Sequence, residues 1–543
     1  MRRFGPMLTA VLLGFTMFAG TAPAETLEQR LERMENEIRD LRSELRRRDA
    51  ADAKKTGKPA AARAKAPATT EPRVVAETPP PAAPPTEVAD VTPKSKETGA
   101  LNAIMDRVQL GGYGSVRYEG SSLEDQKNTF TYRRFVLTTD ANIAPGIRAY
   151  MELEFERFRK LELERTTAKN SEGGLTTEQA IEGTNDSEIA LEQAWLQYDV
   201  NDWLNLRAGN VLVPLGRFNI NHDDNRWDIP RRTLVDRGVP VLPAEAAWSE
   251  LGVGFLGNLP VGEQSEFSYQ AYVVNGLSLD TEFEQILSTR RGDTTLNAVE
   301  AKVQPSAGTF GNDVKDAKAV TGRMALSPLI GHDIGVSGYF GQYTPDFLGK
   351  EDLWSVAADG RTGWGPFELE GEYVYTHFDG VKNVAKRFAR EALNHETESE
   401  AGDVETEVEF ELANLARAKQ GYWLEARYRF WPAFLNDTFL GRRFDNPQLV
   451  AVLRGEQVWL DGLVQEVDFA GGRLTDFEED HRYVSRFTVG LAYRPVPMVA
   501  FQLAYEYTMT DSGQSLSGVT NYLAAQENED HANTILVGAV FGF

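Results

Sequence analysis

Cysteine is absent from the 543 residues, which excludes a disulfide framework, thiolate chemistry and any Cys-based metal site. Histidine is scarce: His222, His332, His377, His395, His481 and His531 are all there are. None stands against a recognisable serine motif and no G-x-S-x-G elbow occurs, so hydrolase chemistry lacks its nucleophile and base. No enzyme activity and no cofactor is expected. Long hydrophobic runs are missing too. Beyond the amino terminus nothing approaches the roughly 18 to 20 uninterrupted apolar residues of a transmembrane helix, so any membrane crossing has to use strands. Basic residues are outnumbered, 57 Lys and Arg against 81 Asp and Glu, and the formal net charge of −24 argues against nucleic acid as a partner.

What is present begins with an export signal. Arg2 and Arg3 precede an apolar run at 7–20 and then Ala22-Pro23-Ala24, the small-residue pattern of a cleavage site, so 1–24 reads as a signal peptide. In 25–48, Leu27, Leu31, Met34, Ile38, Leu41 and Leu45 recur at alternating spacings of four and three, a heptad seam. The expectation is a periplasmic coiled-coil helix that assists oligomerisation, with a lone amphipathic helix lying on another surface as the alternative. Two or three strands are both compatible with such a seam. Residues 49–106 turn to Ala, Pro, Lys and Thr, including TPPPAAPP, and read as an extended linker.

From about 107 onward the chain alternates with period two. In IRAYMELEFERF, Ala149, Met151, Leu153 and Phe155 share one face, and Tyr150, Glu152, Glu154 and Glu156 the other. In FELEGEYVY, Phe367, Leu369, Tyr373 and Tyr375 oppose Glu368, Glu370 and Glu372. Segments of this kind begin near 108, 129, 147, 188, 203, 249, 265, 318, 332, 352, 366, 420, 447, 482, 498 and 532, about sixteen in all, with 352 and 447 the weakest. The pattern fits a soluble sandwich with its apolar faces turned inward, or the inverse arrangement in lipid. Aromatics at the ends of apolar faces (Tyr493, Tyr507, Phe543), and short turns alternating with long polar segments such as 378–418, favour the inverse. The predicted fold is an all-β transmembrane barrel of about 16 antiparallel strands over 107–543, with a loop inserted at about 214–248. ANTILVGAVFGF would be its closing strand, paired to 108–119. The acidic runs at 388–411 and 476–480 read as solvated external loops.

At 203–258 a strand ending in Val213-Pro214-Leu215-Gly216-Arg217-Phe218 leads into a long loop and returns through Trp248, Glu250, Gly252 and Gly254. With GGYGSVRYE at the barrel start and the terminal Phe543, this resembles the phosphate-selective porin O and P family over about 108–543. The resemblance implies a trimeric sixteen-stranded porin of the cell outer membrane. Similar porins carry an amino-terminal periplasmic coiled coil, which fits 27–45. The terminal aromatic looks like the signature that barrel-assembly machinery reads. The family's basic ladder and central lysine cluster are not matched residue by residue. What the loop does carry is Arg217, Arg226, Arg231, Arg232 and Arg237 beside Asp223, Asp224, Asp228 and Asp236.

If the loop enters the lumen, opposed Arg and Asp rows would set a transverse field at a constriction formed by Arg217, Asp223, Asp224, Arg226, Arg231, Arg232 and Arg237. An arginine fork stays charged and can hold phosphate or carboxylate with two hydrogen bonds. The other reading is that these residues bridge the loop to the wall or to a neighbouring protomer. Arg207, Arg427, Arg429, Arg486 and Arg494 fall on the predicted water side and would extend a basic path, while Glu152, Glu154, Glu368, Glu370 and Glu372 oppose simple anion selectivity. His222-Asp223-Asp224 lacks a spacing that demands a metal, and no metal site is assigned. The expected function is passive diffusion of small polar or anionic solutes. The alternative is an envelope-spacing role, with the coiled coil reaching toward peptidoglycan and a general or cation-preferring pore. Expected partners are a second and third copy of the chain, outer-membrane lipid and lipopolysaccharide.

Overall fold

The structure is a computed structural model. It describes residues 107–543 apart from 124–126, 158–160, 170–174, 184–187, 237–240, 291–292, 308–309, 312, 399–406, 413–414, 471–472, 512–515 and 517–528. The chain divides into two units, Met1–Thr92 and Pro93–Phe543, and every described residue belongs to the second. The signal peptide, the heptad seam and the linker therefore lie outside the described residues.

Twenty-one strands run through the described residues. The first nine are β1 (Val108–Ser121), β2 (Thr129–Ala144), β3 (Ile147–Glu156), β4 (Leu161–Lys169), β5 (Leu175–Gly183), β6 (Glu188–Asn201), β7 (Leu204–Leu212), β8 (Ser249–Pro260) and β9 (Glu266–Val274). There follow β10 (Ser278–Arg290), β11 (Asp293–Ser306), β12 (Ala319–Leu329), β13 (His332–Gln342), β14 (Asp352–Trp364), β15 (Phe367–Phe378) and the helix α1 (Val381–Glu398). The last six are β16 (Glu407–Leu412), β17 (Ala416–Phe430), β18 (Gln448–Ala470), β19 (Arg473–Val496), β20 (Val499–Thr510) and β21 (His531–Gly542).

Sixteen of these close into one barrel in the order β1-β2-β3-β6-β7-β8-β9-β12-β13-β14-β15-β17-β18-β19-β20-β21. Fourteen of their starts lie within one residue of the alternating segments, the two weakest included; β17 begins at Ala416, four residues before the expected 420, and β19 at Arg473, nine before 482. The barrel closes between β1 and β21, from Tyr113 opposite Gly542 to Ser121 opposite Thr534, so no wall edge is left unpaired. Glycine is needed at this seam: a Cβ on Gly114 would stand 2.5 Å from the Phe541 ring, which lies across β1.

Alternation sets the two faces. On β21, Ile535, Val537 and Phe541 point out and are exposed, while Leu536 and Val540 point in and are buried. On β3, Met151 faces out, and Glu152 and Glu154 are buried inside. An apolar outer face around a charged interior is the pattern of a barrel whose solvent is lipid. No helix among the described residues is long and apolar enough to cross a membrane.

The two rims differ. One carries turns 145–146, 202–203, 261–265, 330–331, 365–366 and 497–498, with one longer connection at 431–447. The other carries the remaining long connections. There the structure corrects the reading of the acidic runs as plain loops. Within 378–418 lie α1, whose Val384, Ala385 and Phe388 are fully buried, and β16, which pairs in parallel with β11. Residues 476–480 belong to β19, which with β18 continues as a ladder to Ala470 opposite Arg473. The β4–β5 hairpin and the sheet β10-β11-β16 stand apart from the wall. Charge hid these elements because hairpins beyond the membrane need no apolar outer face.

Candidate functional site

The segment 213–248, between β7 and β8, folds inside the barrel. Its entry is fixed by Gly216, whose φ of +70° is left-handed and whose added Cβ would meet the Glu372 carboxylate at 2.8 Å. That carboxylate accepts hydrogen bonds from the backbone N–H groups of Arg217 and Phe218, the latter at 2.7 Å. Asn219 clasps the neck. Its Nδ2 donates to the carbonyls of Val213 (2.7 Å) and Trp248 (3.0 Å), and its Oδ1 accepts from the Trp248 N–H at 2.8 Å. Between neck and tip, Leu215, Phe218, Trp227, Leu234, Val241 and Leu242 are buried in an apolar cluster shared with wall residues such as Trp423 on β17, and Phe218 stacks on Trp227 at 5.1 Å.

Charge braces the segment to the wall on several sides. Arg217 reaches Glu370 on β15 and Asp333 on β13, with Asp359 on β14 at 3.6 Å. Asp224 accepts from the Ser115 hydroxyl at 2.6 Å and lies 3.7 Å from Arg133. Burial opposes its charge, but Arg133, Arg134 and Arg232 outweigh burial and hold its carboxyl well below the usual range. Arg231 bridges Glu119 on β1 and Glu506 on β20. Arg232 holds Asp236 (3.3 Å) and the Ala246 carbonyl within the loop. Asp228 meets Arg494 at 2.6 Å, Arg427 at 3.6 Å and Arg429 at 4.0 Å. The Trp227 ring lies between the guanidiniums of Arg427 (5.2 Å) and Arg454 (5.0 Å).

His222 is fully buried, with Nδ1 at 2.9 Å from the Asn219 carbonyl and Nε2 at 3.4 Å from Glu192. Burial alone would lower its pKa, but the Glu192 carboxylate and Asp223 prevail and raise it to about 9. The imidazole is therefore a cationic brace, and among the described residues no group of His, Asp and Glu is placed to hold a metal.

The residues singled out in the sequence are distributed as follows. Arg217, Asp224 and Arg231 meet wall partners, Arg232 holds partners within the loop, Asp223 lies 3.7 Å from His222, Arg226 is exposed, and Arg237 lies outside the described residues. On the inner wall, Arg427 sits among Glu368, Glu370 and Glu425, Arg429 meets Glu368 at 3.1 Å and Arg486 meets Glu456 at 2.7 Å. Arg494 belongs to the Asp228 brace. Arg207 differs. It meets Gln197 Oε1 (2.6 Å), the Tyr272 hydroxyl (3.4 Å) and the Trp195 face (4.0 Å), and no carboxylate within ion-pair distance among the described residues. Reading by alternation found the wall glutamates. It offered bridging of the loop arginines to the wall as one of two readings without naming the partners, more than a hundred residues away, and it missed Asn219, whose clasp no local pattern announces.

No family model matches the chain. An uncharacterised protein of Aquifex aeolicus is 23% identical over 408 residues, which cover 73% of this chain and 75% of that protein. Among solved structures the chain is similar to an anion-selective porin from Comamonas acidovorans, at 10% identity over 80% of this chain and 99% of that one, with a TM-score of 0.43. OmpF of Salmonella typhi in complex with daunomycin has 12% identity over 80% of this chain and 97% of that one, with a TM-score of 0.42. OprB of Pseudomonas putida at high pH has 10% identity over 82% and 97%, with a TM-score of 0.40.

Proposed function

We propose that this chain is an outer-membrane porin through which small polar or anionic solutes, phosphate and carboxylates among them, diffuse without a chemical step. The observation that carries the reading is the braced loop: a segment held by charge and by a shared apolar cluster inside a closed barrel whose outer face is apolar. Bracing keeps the narrow section of the lumen at a fixed shape against thermal motion, as a selective passage requires. The braces described above run to β1, β2, β6, β13 to β15 and β17 to β20, so we place the solute path beside the neighbouring strands β7, β8, β9 and β12. Arg207 stands there as a cation with no carboxylate within ion-pair distance among the described residues, and its fork suits phosphate or carboxylate passing at close range.

The same reading makes the chain a homo-oligomer, a trimer, in contact with outer-membrane lipid and lipopolysaccharide and delivered by barrel-assembly machinery. Phosphate preference rests on the resemblance at 213–254. A cation-preferring pore set by the wall glutamates is the competing outcome. An accessory spacing role toward peptidoglycan would fall to residues 25–98.

The test is the single-channel reversal potential in a planar bilayer under a salt gradient, with and without phosphate. Anion-selective reversal that weakens in R207Q supports the proposal. Reversal that responds to R231A/R232A and not to R207Q moves the path to the other side of the loop. A folded chain that never conducts ends the porin reading.

A further inference from the structure

Six turns on the short-turn rim have two to five residues, and the seventh, WPAFLNDTFLGRRFDNP at 431–447, has seventeen. It is an ordered element. The Trp431 indole donates to Asn436 Oδ1 at 2.8 Å, the Thr438 hydroxyl to the Leu435 carbonyl at 2.7 Å, and the Arg442 N–H to the Thr438 carbonyl at 3.0 Å. It also turns away from the lumen. The Tyr493 hydroxyl donates to the Leu440 carbonyl, and the Trp431 ring stacks on Tyr493 at 6.1 Å. Tyr493 itself stands on the outer face of β19, stacked on Phe501, which is 52% exposed. The connection is thus fastened to the outside of the wall, at the edge of the apolar band.

On that outward bend, Phe434 and Phe439 are 77% and 74% exposed. Beside them Arg442, Arg443, Asp437 and Asp445 are exposed, two charges of each sign. Next to Tyr493 an apolar groove of about 380 Å³ runs along the wall between Val116, Leu491, Phe501, Leu503 and Val537. Two exposed aromatic rings on an element fastened to Tyr493, which also lines a chain-sized apolar groove, together with balanced charge match a phospholipid: ring and groove to the acyl chains, arginine to the phosphate, aspartate to an ammonium headgroup.

We infer that 431–447 is a phospholipid-binding element that sets Phe434 and Phe439 into the leaflet on the short-turn side, with Arg442 and Arg443 on the lipid phosphate and an acyl chain in the groove. The inference rests on the reading of the barrel as membrane-spanning. It is independent of whether the barrel conducts. A protein partner in the aqueous phase is the poorer fit, because the Tyr493 contact carries the element onto the lipid-facing wall.

The absence of cysteine makes the test direct. Spin labels are placed singly on F434C, F439C and D445C in the full chain, reconstituted in phosphatidylethanolamine–phosphatidylglycerol vesicles. At 434 and 439 the label should collide several-fold more often with dissolved oxygen than with an aqueous nickel chelate, and at 445 the preference should reverse. R442Q/R443Q should lose phospholipid retained by the purified chain in native mass spectrometry. Nickel access at 434 and 439 equal to that at 445 overturns the inference. So does protection from both quenchers, which would mean a protein cover such as a second copy or residues 25–48. Conductance recorded from the same vesicles reads the porin proposal separately.

Discussion

Replacing Asp228 by Asn is the sharpest test of the braces. The carboxylate is 2% exposed and faces three guanidiniums, at 2.6, 3.6 and 4.0 Å. Removing one partner of a buried ion pair costs about 3 to 5 kcal/mol, because the remaining charge stays buried without compensation. Two features place D228N at the lower end. The amide oxygen can still accept from Arg494 Nε, and Arg427 and Arg429 keep Glu368. A cost of about 3 kcal/mol corresponds to roughly a hundredfold rise in the population of loops detached at that brace. Single-channel recording should show it as added flicker in the open level, and urea unfolding in lipid should show it as a lower midpoint. Combining D228N with R494Q should cost less than the two singly, the shortfall being the coupling between them. An unchanged midpoint and unchanged open-channel noise would refute the view that charge holds the loop.

Other consequences are equally specific. Because the folded pKa of His222 is raised to about 9, its contribution is fully present below its ordinary value near 6.5 and fades as pH rises through 9, a total of about 3 kcal/mol; unfolding midpoints between pH 6.5 and 9.5 should fall, and H222Q should flatten the curve. N219A removes three hydrogen bonds at the neck and should destabilise by about 1 to 3 kcal/mol, seen as faster proteolysis within 213–248. G216A puts a Cβ into the Glu372 carboxylate at a left-handed residue, and its unfolding midpoint should drop by more than the roughly 1 kcal/mol usual for φ alone.

Much of the wall was legible because two solvents act on alternate residues. Ile535, Val537 and Phe541 against Thr534, Leu536 and Val540 show how coarse the rule is: the outer side must be apolar, whereas the inner side accepts whatever packs. That asymmetry marks strands well and interior partners poorly. The loop shows the limit. Its arginines and aspartates were visible as types, but which of them brace the wall depends on Glu119, Asp333, Glu370 and Glu506 brought close by barrel closure. Trp227 and Phe218 carry no local sign of burial; the lumen gives them a core to join. The external strands escaped for a different reason: Val408, Phe410 and Leu412 of β16 do alternate with Glu407, Glu409 and Glu411, but inside an acidic run that reads as a solvated loop.

The parallel pairing of β11 with β16 sets an order of events. The wall inserts β12, β13, β14 and β15 between the strands that flank this sheet, β9 and β17, so the external sheet bridges five strand spacings of rim, as an arch with a foot at each end. The distance between the feet is defined only once those four strands have docked side by side. Assembly of the arch therefore follows assembly of the wall. A cut within the arch would release a tie across the mouth and leave the cylinder beneath it standing.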